Sequence, residues 1–183
     1  MNEQPNITLH GVFMEVSGFG VLLRGNSAIG KSEMALSLIN RGHRLVADDA
    51  VDIKQVAPET LIGSCPPLLQ DFLEVRGLGI INIRIMFGDN AIKDSKRLQL
   101  IVKMAAFEEN ELQQIDRLHG MYRMETILGT TIPEVTIPVA PGRNLAVLIE
   151  TAVRNQVLKH NGYDAPHEFI LKQQQSLRDN STK

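Results

Sequence analysis

The 183-residue chain has a single cysteine, Cys65, so no disulfide can close within it. A small inert side chain beside Pro66 and Pro67 accounts for that thiol better than a reactive group does. No apolar run approaches the roughly 18 residues that span a bilayer. The opening Met1-Asn2-Glu3-Gln4-Pro5 lacks the basic-then-apolar pattern of a leader. No membrane partner is expected, and the expected compartment is the cytoplasm. Charge of one sign is also missing. With a formal net charge of −2 and 22% charged residues, a nucleic-acid binder relying on bulk positive charge is excluded. There is no internal repeat and no linker that would split the chain. A single catalytic domain over residues 1–183 is expected, with flexible ends at about 1–9 and 178–183.

What is present centres on Gly25-Asn26-Ser27-Ala28-Ile29-Gly30-Lys31-Ser32, which fits the phosphate-cradling pattern G-x-x-x-x-G-K-[ST]. It lies between an apolar stretch, Gly20-Val21-Leu22-Leu23, and a helix-like one beginning at Glu33. Glycines let the backbone bend round an anion, so that N–H groups and the positive end of the next helix point at phosphate oxygens. In that arrangement Lys31 neutralises terminal phosphates and the Ser32 hydroxyl holds a magnesium ion. The plain alternative is a glycine-rich turn before a helix.

Around this loop the pattern predicts strands at 10–16 and 20–24 joined by Ser17-Gly18-Phe19, with His10 opening the first of them. A helix from Lys31 to about Arg41 follows, stopped by Gly42. Arg44-Leu45-Val46-Ala47 then reads as a strand ending in two acids, Asp48 and Asp49. Regular alternation would send these two carboxylates to opposite faces. Further strands are expected at 51–56, 60–64, 98–104, 122–128 and 135–139, and a brief helix at 68–73 after Pro66-Pro67. Residues 74–83, with an acid, a base and two glycines ahead of an apolar run, suggest a close-lying loop followed by a buried segment. Residues 108–114 read as a solvated loop. An amphipathic helix from Asn144 to His160 and a last one at about 166–177 complete the chain.

Those residues resemble the catalytic domain of the HPr kinase/phosphorylase family, bacterial enzymes that act on a serine of the phosphocarrier protein HPr in the control of carbon metabolism. The likeness runs from about residue 8 to 165. It is carried by His10-Gly11-Val12, the loop 25–32, Gly42-His43-Arg44-Leu45-Val46-Ala47-Asp48-Asp49, Asp116-Arg117-Leu118, the segment 138–144, and above all Glu74-Val75-Arg76-Gly77-Leu78-Gly79-Ile80-Ile81-Asn82. Asn26 and Ala28 stand where the family usually has Asp and Gly. Both are loop positions whose backbone does the cradling, so tuned affinity is expected there. The family's N-terminal domain, commonly over a hundred residues, has no counterpart in these 183 residues.

The resemblance implies a mixed β-sheet core flanked by helices and containing the phosphate loop, similar to the phosphoenolpyruvate carboxykinase-like nucleotide-binding fold. It implies a bifunctional activity: an ATP- or pyrophosphate-dependent serine kinase on HPr, and a phosphorylase that uses phosphate to release pyrophosphate from phosphoserine-HPr. Asp49 would accept the serine proton in one direction and return it in the other, with Lys31 stabilising the transferring group. Ser32 and Glu74 would hold Mg2+, since hard oxygen donors suit that ion. His10 would sit beside Asp49, and Arg117 would contact phosphates, where a planar fork grips better than an ammonium. Without the resemblance, His10 is as well read as a hydrogen-bonded strand-start histidine and Arg117 as a surface charge. Asp48 is open between a direct metal contact and a structural or water-mediated one. Arg143 falls in the segment the family uses mainly for dephosphorylation. His43, His119, His160 and His167 lack ligand-like spacing. The family assembles as hexamers, in which the last helix, with Phe169 and Ile170, helps a neighbouring subunit hold HPr. A small-molecule kinase on the same cradle, or a nucleotide-binding regulatory module without phosphotransfer, are the competing readings.

Overall fold

The pattern of short apolar strands closed by glycine turns resolves into a curled mixed sheet, seen in a computed structural model that describes residues 4–181. Its backbone is three parallel strands, β3 (Phe19–Arg24), β9 (Ser95–Ala106) and β11 (Thr130–Val139), with β3 and β11 each pairing β9. Antiparallel to β3 runs β2 (Val12–Val16), and beyond it β4 (Arg44–Ala47). On the other flank β1 (Asn6–His10), β5 (Ala50–Ala57) and β6 (Thr60–Ser64) form an antiparallel layer, which joins the start of β9 through Ile62 opposite Arg97. A hairpin of β7 (Phe72–Val75) and β8 (Gly79–Asn82) stands apart, and β10 (Tyr122–Ile127) pairs β11.

Strand alternation sorts the core into two clusters. Val21, Leu23, Leu100 and Val102 face α1 (Lys31–Asn40) and α4 (Leu145–His160), packing on Ala35, Leu38, Ile149 and Val153. Leu22, Leu98 and Ile101 face the β1-β5-β6 layer and meet Phe13, Val51, Ile53 and Leu61. Both faces of β3 and β9 are thus covered, which is why their sequences are nearly continuous apolar runs.

Several expectations change. The strand expected at 10–16 is broken at Gly11, whose φ is 153° and where a Cβ would lie 2.6 Å from the Leu23 carbonyl oxygen, so His10 closes β1 instead of opening β2. The helix expected at 68–73 shrinks to one 3-10 turn, Pro67–Leu69, because Gln70 turns extended and Asp71 takes φ 72°. Glu74 therefore lies on a hairpin strand, and Ile80, expected within a buried segment, is 72% exposed. The segment 108–114 holds a short helix, α3 (Glu109–Gln113), stabilised by a reciprocal capping box between Glu108 and Glu111. Of the ends expected to be flexible, residues 6–9 form β1, and α5 (Ala165–Ser181) continues through 178–181. Residues 1–3 and 182–183 lie outside the described residues. The remaining helix is α2 (Ile83–Phe87), and no helix among the described residues is long and apolar enough to cross a membrane.

Gly20 faces Arg97 so closely that a Cβ would lie 1.8 Å from its carbonyl oxygen. Gly20→Ala is expected to destabilise the fold by about 3 kcal/mol, read from urea unfolding, because the β3–β9 backbones cannot separate without losing their pairing. A second test concerns the α1–α4 contact. Glu150 accepts from Arg41 Nε and Nη2 at 2.7 Å each and lies 2.7 Å from His43 Nε2, and this pairing, led by Arg41, holds its carboxyl down at about 2. A depressed folded pKa contributes stability above the ordinary value of about 4, lost as pH falls toward 2. Glu150→Gln should therefore melt lower than the parent chain at pH 7, with the gap closing on acidification; a gap independent of pH would contradict this.

Candidate functional site

Strand β3 ends at Arg24, and the chain turns back over its own sheet edge through Gly25, with φ 149° and room for no Cβ, since one would lie 2.5 Å from Met104 O. Ile29 N donates to Asn26 O at 3.0 Å, and Gly30, at φ 95°, caps α1 without a side chain. The leading N–H groups of α1 are left facing the hollow of the loop, the arrangement that favours an anion. Lys31 is buried, and its Nζ donates to the carbonyls of Gly25 at 2.7 Å and Asn26 at 2.9 Å, so the ammonium braces the loop from within.

Facing the loop is the turn between β4 and β5. Ala50 N donates to Asp48 O at 2.8 Å across Asp49, whose φ of 69° makes this a tight turn with a strained central residue. Alternation ends here, so Asp48 and Asp49 both line the same cleft and do not fall on opposite faces. Gly11 N donates to Asp49 O at 3.2 Å, which ties the break between β1 and β2 to this turn and places His10 Nδ1 3.2 Å from Asp49 Oδ1. Both of those side chains are largely exposed. Asp48 is the buried one. Its Oδ1 accepts from Ser32 Oγ at 3.4 Å and its Oδ2 from Glu74 N at 3.0 Å. Burial pushes its carboxyl above the usual range, aided by the neighbouring Asp49 charge, while the Glu74 N–H and the Ser32 hydroxyl pull the other way.

Glu74 reaches the cleft because β7 alternates: Leu73 and Val75 enter the core, while Glu74 and Arg76 face out. The cleft, about 270 Å³, is lined by His10, Lys31, Ser32, Asp49 and Glu74 with Ser27, Ala28 and Gly30, while Gly25, Asn26 and Ile29 shape the loop behind it. Arg117 is not among its lining. It lines a separate groove of about 780 Å³ beside α4, together with Arg143. Sequence reasoning left Asp48 undecided and assigned nothing to Arg76. The period-two step from Glu74 was the available signal for Arg76.

Among the described residues no three histidine, cysteine or carboxylate groups converge as a metal cage. The oxygen donors Ser32, Asp48 and Glu74 nonetheless suit Mg2+, which commonly takes one or two carboxylates and completes its shell with substrate phosphates and water. The donor set fits an ion that arrives with a phosphate ligand.

Fold and cleft together define a class: a mixed α/β protein in which a glycine-rich strand-to-helix loop opens on a cluster of carboxylates. The chain belongs to the family described as the HPr Serine kinase C-terminal domain, whose model matches residues 3–173. It is 53% identical over 171 residues to the HPr kinase/phosphorylase of Chromobacterium violaceum, covering 93% of this chain and 54% of that protein. To the HPr kinase/phosphorylase of Nitrosomonas europaea it is 49% identical over 179 residues, covering 98% and 55%. The solved structure of the Hpr(Ser) kinase/phosphatase from Coxiella burnetii superposes with a TM-score of 0.79 at 43% identity, over 89% of this chain and 98% of that one. The chain spans about half the length of the curated relatives it matches.

The buried Asp48 carboxylate supplies a direct test. A carboxyl whose folded pKa is raised opposes folding as pH climbs through and above its ordinary value, because the unfolded chain gives up that proton first. Asp48→Asn keeps an oxygen for the Glu74 N–H and removes the charge. It is expected to melt at an equal or higher temperature than the parent at pH 7.5, with no gain at pH about 3. A clear loss of stability at pH 7.5 would contradict this.

Proposed function

We propose that this chain is the phosphotransfer unit of a bifunctional HPr kinase/phosphorylase. It would phosphorylate a serine of HPr from ATP or pyrophosphate, and in reverse use phosphate to convert phosphoserine-HPr to HPr and pyrophosphate. The observation that carries the reading is the meeting of His10 and Asp49 opposite Lys31, Ser32 and Glu74 in one cleft. Family membership and the identity to proteins named HPr kinase/phosphorylase support the same substrate. The cradle is read as a phosphate loop on a phosphoenolpyruvate carboxykinase-like nucleotide-binding fold, and the assembly as a cytoplasmic hexamer; resemblance alone supports these last points.

In the forward direction the Asp49 carboxylate accepts the proton of the serine Oγ as that oxygen bonds to phosphorus and the bridging oxygen of the donor leaves on ADP or phosphate. His10, 3.2 Å from Asp49, orients the carboxylate. In reverse an oxygen of phosphate attacks the phosphoserine phosphorus, and Asp49 returns its proton to the departing serine oxygen. Lys31 and the N–H groups at the start of α1 offset the charge on the transferring group. Ser32 and Glu74 would hold Mg2+, with Asp48 bonded to both of their residues; when bound, the ion supplies charge that bridges the phosphates. Arg117 follows β9, which is parallel to β3, so its loop leaves the same edge of the sheet as the cradle. It is assigned to the phosphates through movement of that loop.

The test incubates the chain and HPr with ATP or pyrophosphate and magnesium, then phosphoserine-HPr with phosphate. Serine phosphorylation and pyrophosphate release are expected, and the absence of both overturns the reading. Lys31→Ala should abolish both directions. Asp49→Asn should lower both by about 10²- to 10⁴-fold while leaving pyrophosphate binding in place. Unimpaired turnover in Asp49→Asn would remove it as the proton acceptor.

A further inference from the structure

We infer that Arg76, on the tip of the β7–β8 hairpin, is a phosphate-contacting residue of the cleft and its mobile source of positive charge; this rests on the phosphotransfer reading above. The charge balance of the cleft motivates it. Two cations, Lys31 and Arg76, line it against four carboxylates, Glu33, Asp48, Asp49 and Glu74. Such a cleft repels a polyphosphate unless its cations can reach the phosphate. Lys31 is buried, with its ammonium held by two loop carbonyls. Arg76 is exposed and, among the described residues, has no ion-pair partner.

Position argues the same way. Val75 is packed in the core, so Glu74 and Arg76 are carried on the same outward face of the hairpin. Both line the cleft, while Arg117 and Arg143 line the groove beside α4. The turn that carries Arg76 is defined: Gly77 takes φ 90° and Leu78 N donates to Val75 O at 3.0 Å. The backbone is anchored and only the long side chain is free to swing over a phosphate, which a guanidinium grips through two parallel N–H donors. The hairpin is hydrogen-bonded to Asp48 through Glu74 N, so the arginine is presented in register with the Ser32 and Glu74 oxygens.

The probe is inorganic pyrophosphate with magnesium, titrated calorimetrically into the whole chain. Arg76→Gln is expected to weaken its binding at least about tenfold, with the ligand-free melting temperature unchanged, and Arg76→Lys to recover part of the loss because charge returns without the fork. With HPr as acceptor, the loss should appear in the KM for pyrophosphate and not in the KM for HPr. Equal pyrophosphate affinity in Arg76→Gln and the parent overturns the inference and leaves the phosphotransfer reading standing. An effect confined to the KM for HPr also overturns it and makes Arg76 a contact for the protein substrate. If the parent chain binds no pyrophosphate, both readings fall.

Discussion

The parallel pairing of β3 with β9, buried on both faces, is the constraint on which the other elements depend. Gly20 lets the two backbones come close at one end of the pairing, and Leu22 and Leu23 fill opposite cores along it. Because β11 also runs parallel to β9, three strands end at one edge of the sheet. The loop 25–30 leaves from that edge, and so do the chain segments that carry Arg117 and Arg143. Parallel strands bring such loops together from distant parts of a sequence, and the open end they share is where α/β proteins place ligands.

Onto that edge the fold brings an electrostatic conflict. Asp48 is buried with a charged neighbour, Asp49, and two more carboxylates line the same small cleft. The hydrogen bonds from Ser32 and Glu74 relieve Asp48 only in part, since its carboxyl still lies above the ordinary range. Asp49 adds a φ of 69°. Strain and uncompensated charge concentrated at one place are costs the surrounding sheet tolerates where a ligand is to be met. A metal–phosphate ligand carries both the positive charge the carboxylates want and the negative charge the loop and helix terminus want.

Much of this was legible beforehand. The apolar runs of β3 and β9, the helices α1 and α4 and the phosphate-loop pattern are local signals, and each lies where its period and glycine spacing put it. The misread places have local signals that a non-local contact overrides. Pro66-Pro67 announced a helix, but Asp71 turns the chain so that Leu73 and Val75 can be buried against the helical layer. His10 read as the first residue of a strand, yet the close approach of Gly11 to Leu23 breaks that strand in two. Alternation would have separated Asp48 from Asp49, and the turn between β4 and β5 cancels it.

The sequence by itself determined the chemistry on offer: a loop that cradles anions, a lysine and a hydroxyl at its end, two adjacent acids, and a glycine-rich segment with an acid and a base two residues apart. These are matters of residue type and short spacing, which do not need the fold. Only the tertiary structure decided which of them meet. It brought His10 to Asp49 across 39 positions of chain, placed Asp48 between Ser32 and Glu74, and carried Arg76 into the cleft while leaving Arg117 in the groove beside α4. The reason is that side-chain direction at a turn or hairpin is set by the burial of neighbours such as Leu73 and Val75, and that burial exists only once the sheet and helices have closed over them.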